Sequence, residues 1–155
     1  DAYTIAAGKT LHLNFTNHSS KTNNFNNWVL VVSNNANRDA DNYIEHFVIR
    51  ADNYGWFPNL GGNTNDNTAN VSFTLESDYN WSTFKTDMDG AMVNIHVTRD
   101  ASNRVVVIAQ TTSASTGTVY TQRFIVNNIS SGAIRAFLFT DASWYEINKT
   151  TTKVE

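Results

Sequence analysis

Nine short apolar-rich runs, most of them alternating apolar and polar residues and none with a helical period, constrain this chain more than any other feature. Leu11, Leu13 and Phe15 fall on one face of the first run, with His12 and Asn14 on the other. Similar runs follow in Trp28 to Val32, which is apolar throughout, and in Ile44 to Arg50, Val71 to Leu75 and Met92 to Arg99. The others are Arg104 to Ala109, Val119 to Val126, Ile134 to Phe139 and Trp144 to Ile147. A period of two means a pleated strand with one face buried. Asp100 to Asn103 reads as a tight hairpin turn, and Thr111 to Thr118, with Gly117, as a longer one. Only Trp81 to Asp87 suggests a helical turn, capped by Asn80 or Ser82. The pattern predicts an all-β fold, a two-sheet antiparallel sandwich of jelly-roll-like kind with about nine strands. Residues 1–148 form one domain in this reading, and the patternless residues 149–155 a frayed tail or linker.

At 155 residues the chain is long enough for one substantial core. Only 16% of residues are charged, against about a quarter in an average soluble domain. Amide and hydroxyl groups take their place, with 22 Asn and 19 Thr. The net charge of −3 comes with no basic run, which argues against a nucleic-acid partner. The absence of cysteine removes disulfides and thiolate metal sites. No apolar run approaches the ~20 residues of a membrane-spanning helix. The abrupt start at Asp1, inside what reads as folded sequence, suggests a module cut from a longer polypeptide. Six Asn-x-Ser/Thr sequons follow from the abundance of those residues and suit a bacterial source.

The aromatic residues stand in unusual company. Trp28 opens an apolar run and belongs to the core. Tyr54 and Trp56 (Asp-Asn-Tyr-Gly-Trp), Tyr79 and Trp81 (Asp-Tyr-Asn-Trp), and Trp144 and Tyr145 instead sit among polar neighbours. A sugar ring offers an apolar C–H face edged by hydroxyls, so flat rings beside amides and carboxylates suit it. Ile44 to Arg50 reads as a strand that ends near Asp52, and Gly55 suggests a turn exposing Tyr54 and Trp56. The candidate stacking rings are therefore Tyr54, Trp56 and Trp81, with Arg50, Asp52 and Asn53 as hydrogen-bonding partners. Should that face be wrong, Trp144 and Tyr145 are next in line.

Asp87 and Asp89, in Thr-Asp-Met-Asp-Gly, are candidate ligands for a structural Ca²⁺, though solvated turn residues would look the same. No other cofactor is expected. Catalysis finds no support. Sandwich glucanases place paired carboxylates across a cleft, and Glu45 has no acidic residue two or four positions further along its strand run, where Phe47 and Ile49 stand. His12, His18, His46 and His96 lack zinc-binding spacing.

Asn26-Asn27-Trp28, Arg50 to Trp56 and Asn80 to Gly90 resemble segments of non-catalytic β-sandwich modules on secreted glycoside hydrolases of gut and rumen Bacteroidetes. The resemblance runs from about Tyr3 to Ile147. It implies a secreted or cell-surface bacterial carbohydrate-binding module, covalently linked to a catalytic domain and not itself an enzyme. The implied partner is a plant cell-wall polysaccharide, a β-linked glucan or xylan, with no nucleic acid or membrane involved.

Overall fold

The computed structural model describes the chain except residues 1, 20–26, 53–54, 58–61, 64–70, 76–79, 128, 130–131 and 141. Of 55–57, 62–63 and 71–75 it describes the backbone alone. The strands are β1 (Tyr3–Ile5), β2 (Lys9–Ser19), β3 (Val29–Ser33), β4 (Glu45–Arg50), β5 (Gly55–Phe57), β6 (Gly62–Asn63) and β7 (Val71–Leu75). A five-residue helix, α1 (Phe84–Met88), leads to β8 (Ala91–Arg99), β9 (Val105–Thr112), β10 (Val119–Val126), β11 (Ile134–Phe139), β12 (Ser143–Ile147) and β13 (Lys153–Val154).

The fold is an all-β, two-sheet antiparallel sandwich. One sheet has the order β1-β11-β3-β4-β5-β6, the other β12-β2-β8-β9-β10-β7, with β13 also on β2. The chain passes between the sheets at β1–β2, β2–β3, β6–β7, β10–β11 and β11–β12. All nine expected strands are present, and β1, β5, β6 and β13 are additional short ones.

Alternation places the core as the sequence implies. Leu11, Leu13 and Phe15 of β2 point inward beside Val93, Ile95 and Val97 of β8 and Val105, Val107 and Ala109 of β9. Leu30 and Val32, Phe47 and Ile49, and Ile134 and Ala136 meet them from the other sheet. Each fully buried Leu, Ile or Phe contributes about 1.5–3 kcal/mol. β3 departs from alternation because both its faces are covered: Val29 and Val31 join Val48 and Phe137 in a separate outer cluster. Trp28 is completely buried, and its indole N–H reaches Thr111 Oγ1 at 3.3 Å.

Three local expectations change. The helical turn starts at Phe84 with Thr83 at the cap position; Asn80 Oδ1 instead accepts from the Ser82 N–H one turn earlier. Gly55 and Trp56 are paired residues of β5, opposite Ile49 and Val48, so the bend after β4 falls before Gly55. Residues 149–155, expected to fray, fold back along the sheet. Asn148 N–H donates to the Asn14 carbonyl, and Thr10 and Glu155 exchange backbone hydrogen bonds of 2.8 and 3.0 Å. An unpaired edge strand seeks partners, and β2 supplied one for seven residues that carry no pattern of their own.

Candidate functional site

The singled-out residues lie on several separate elements. β4 ends at Arg50, and the Ala51 N–H donates to the Trp28 carbonyl. Arg50 grips Asp52 through a two-pronged ion pair, Nε to Oδ1 at 3.0 Å and Nη2 to Oδ2 at 2.7 Å. This geometry matches guanidinium to carboxylate and leaves each with fewer groups for a ligand. Arg50 also lines a small groove of about 150 Å³ on the outer face of the first sheet, with Arg38, Glu45 and Phe139. Trp81 is 52% exposed just before α1, its ring tilted against buried Phe84 at 4.9 Å. Trp56 stands opposite Val48 and Asn63 in the register. Asn53 and Tyr54 lie outside the described residues.

The carboxylates of Asp87 and Asp89 serve different partners. Asp87, only 2% exposed, takes hydrogen bonds from four hydroxyls. Thr83 and Tyr120 donate to Oδ2 at 2.8 and 3.2 Å, and Ser113 and Ser115 to Oδ1 at 2.9 and 3.3 Å. Burial, followed by the Asp87 charge, raises the Tyr120 phenol above its ordinary value and keeps it a donor. Asp89 Oδ1 accepts from the Ser19 N–H at 3.3 Å, which ties the end of α1 to β2. Asp87 thus acts as a structural hub. Among the described residues no three His, Asp or Glu side chains gather around a common point for a metal.

Glu45 is likewise engaged. Its Oε2 accepts from the Tyr43 hydroxyl at 2.9 Å and lies 3.6 Å from Arg38 Nη2. Burial and then Glu45 push the Tyr43 phenol up to about 12. His12 and His96 meet edge-on with centroids 4.6 Å apart, and His12 Nε2 lies 3.0 Å from Glu155. Burial, with His12 beside it, lowers the His96 pKa.

The outer face of the second sheet carries the larger concavity. Even-numbered residues of β2, β8 and β12 face outward, because odd-numbered ones fill the core. Register then fixes the neighbours: Trp144 beside His18, Thr16 between Glu146 and Met92, and Asn94 between Asn14 and Gln110. A cleft of about 310 Å³ lies over this floor, lined by Asn14, Thr16, Met92, Asn94 and Glu146 and flanked by Asn148 and Thr151 of the turn before β13. Met92 is 60% exposed there, an apolar patch among amides and hydroxyls.

Trp144 adjoins this cleft. Its indole is 55% exposed and stacks on the His18 imidazole, with centroids 3.7 Å apart and planes within 9°. His18 Nε2 is in turn 2.9 Å from Glu146 Oε2. A ring held on one face by an imidazole, itself fixed by a carboxylate, presents its other face to solvent at little entropic cost. At the back of the same edge, the Tyr145 hydroxyl donates to the Phe139 carbonyl at 2.6 Å, and its ring packs edge-on against Phe15. Tyr145 is therefore an anchor, and Trp144 the free member of the pair.

The residue after His18 in β2 also reaches α1. This residue, Ser19, donates through Oγ to the Lys85 carbonyl of α1, next to the Phe84 ring on which Trp81 rests. Sequence reading ranked Trp144 second and passed over His18, Glu146, Asn14 and Asn94. Parity along β2, β8 and β12 marks them as outward, but only the register shows that they are neighbours. Compared with known protein families, curated proteins and solved structures, the chain matches none.

Proposed function

We propose that this domain is a non-catalytic carbohydrate-binding module that holds a linked glycoside hydrolase on plant cell-wall polysaccharide, a β-glucan or xylan. The reading places the protein outside a bacterial cell or on its surface. The observation that carries it is the outer-face cleft beside Trp144. An indole with one open face adjoins amides, hydroxyls and a carboxylate, the groups that recognise the two surfaces of a sugar. The exposure of Trp81 supports this over a ligand-free spacer, in which such rings would be covered. Glu45, held by Tyr43 and Arg38, favours binding over hydrolysis.

Affinity is weak in this proposal, because an open cleft gains little per sugar after desolvation and torsional ordering. Affinity gels containing laminarin, mixed-linkage glucan or arabinoxylan, followed by calorimetry, test it. Trp144→Ala should lose about 1–3 kcal/mol, by analogy with stacking on nucleic-acid bases. Trp81→Ala reports whether the α1 end extends the same surface. Folded variants that both bind like the parent would move the site to the Arg50–Trp56 segment. Reproducible release of reducing ends, lost in Glu45→Gln, would make the protein an enzyme.

A further inference from the structure

Resting on the carbohydrate reading, we infer that Glu146 makes the cleft selective for neutral glycans over acidic ones. The cleft is unusual in its charge. Asn14, Thr16, Asn94, Asn148 and Thr151 offer amides and hydroxyls, each able to meet a sugar hydroxyl, and none can neutralise an anion. Glu146 is the one ionisable group among the described lining residues, and its side chain is 63% exposed. Of the nearby cations, Lys153 is engaged 2.7 Å from Glu155, and Lys149, in the turn itself, does not line the cleft.

Two consequences follow from this placement. A carboxylate accepts from neighbouring hydroxyls with charge assistance, so Glu146 strengthens the hold on a neutral sugar. A uronate carboxylate in the same place meets a like charge, with no described cleft cation to offset it. At about 4 Å that repulsion weakens binding roughly fivefold even at the dielectric of water, and more in a partly enclosed cleft. His18 holds the carboxylate at the cleft mouth through the 2.9 Å contact, so the charge cannot swing away without releasing the support under Trp144.

The test uses matched polymers: a mixed-linkage glucan beside the same glucan partly oxidised at C6, and arabinoxylan beside glucuronoxylan. Wild-type protein should bind the neutral member of each bound pair at least about fivefold more tightly, and 1 M NaCl should narrow the gap by screening. Glu146→Gln keeps an acceptor for His18 but no charge. It should weaken neutral binding a few-fold and bring the two members of each pair to within about twofold. Asn94→Ala should weaken both members equally, since it removes a hydrogen bond without touching charge. Acidic polymers bound as tightly as neutral ones, or a gap that survives in Glu146→Gln, would overturn the inference while leaving the carbohydrate reading intact. Wild-type protein that binds no polymer of either kind would overturn the carbohydrate reading itself.

Discussion

Asp87 and Glu146 are both carboxylates among polar neighbours, one beneath the β9–β10 hairpin and the other on the outer face of the second sheet. Asp87 is sealed from water and receives four hydroxyls brought from the cap of α1, the hairpin and β10. Glu146 has one polar side-chain neighbour within hydrogen-bonding distance among the contacts described, His18, and opens onto a cleft. A buried charge must be satisfied by the protein, and once satisfied it has nothing left to offer. An exposed charge contributes little to stability and retains its capacity to bind. The degree of enclosure, rather than residue type, separates the structural carboxylate from the one proposed to bind.

The largest expected effect lies on the buried side. Asp87→Ala strands four hydroxyls around a cavity and should lower stability by about 3 kcal/mol, seen as a drop of roughly 10 °C in Tm. Tyr120→Phe, which removes one donor, should cost about 1 kcal/mol in the same melt. An Asp87→Ala variant as stable as the parent would mean that the hub is not structural.

A second test uses the intermediate case, Glu45. The Tyr43 phenol is held up at about 12 in the folded chain, against an ordinary 10.0. Its contribution to stability is therefore complete below pH 10 and lost as the pH climbs from 10 towards 12. The wild-type advantage over Tyr43→Phe in urea midpoint should shrink across that window. A constant difference from pH 8 to 11.5 would show that Tyr43 does not titrate against Glu45.

The smallest effect belongs to Glu146. Glu146→Gln should change stability by less than about 0.5 kcal/mol in urea titration, because exposed pairs are weak. A loss above about 1.5 kcal/mol would make Glu146 structural, and the contrast with Asp87 would collapse.

The long strands were legible in the sequence because most carry a record of one wet and one dry face, and β3, covered on both, reads as an unbroken apolar run. Leu11, Leu13 and Phe15 needed no partner to be read as inward, and Trp28 was readable from the apolar run it opens. β1, β5, β6 and β13 span two or three residues, too few to show a period. They exist because a longer neighbour offers an unpaired edge. The Asp87 hub was hidden because Ser113 and Tyr120 lie 26 and 33 residues away along the chain. Asp-x-Asp-Gly by itself gives no sign of those hydroxyls. The Trp144–His18 stack was hidden for a similar reason, since its partners meet only in the register of β12 on β2. Reading Gly55 as a turn residue relied on its conformational freedom, but hydrogen bonding to β4 decided its state.

β2 joins the beginning of the fold to its end. It pairs with β8 along one edge, while β12 and β13 share the other, and Asn14 bonds Thr152 across 138 positions. Closure of this sheet is therefore slow by topology, because distant segments must meet before any ladder rewards them. On a ribosome moving at about 5–20 residues per second, β2 waits on the order of ten seconds for its last partners. Until β8 emerges, Leu11, Leu13 and Phe15 lie along a strand whose two edges are both unpaired. The interval before β8 emerges is thus when this chain is most open to misassociation, and factors that shield nascent apolar strands should raise its yield more than factors acting after release.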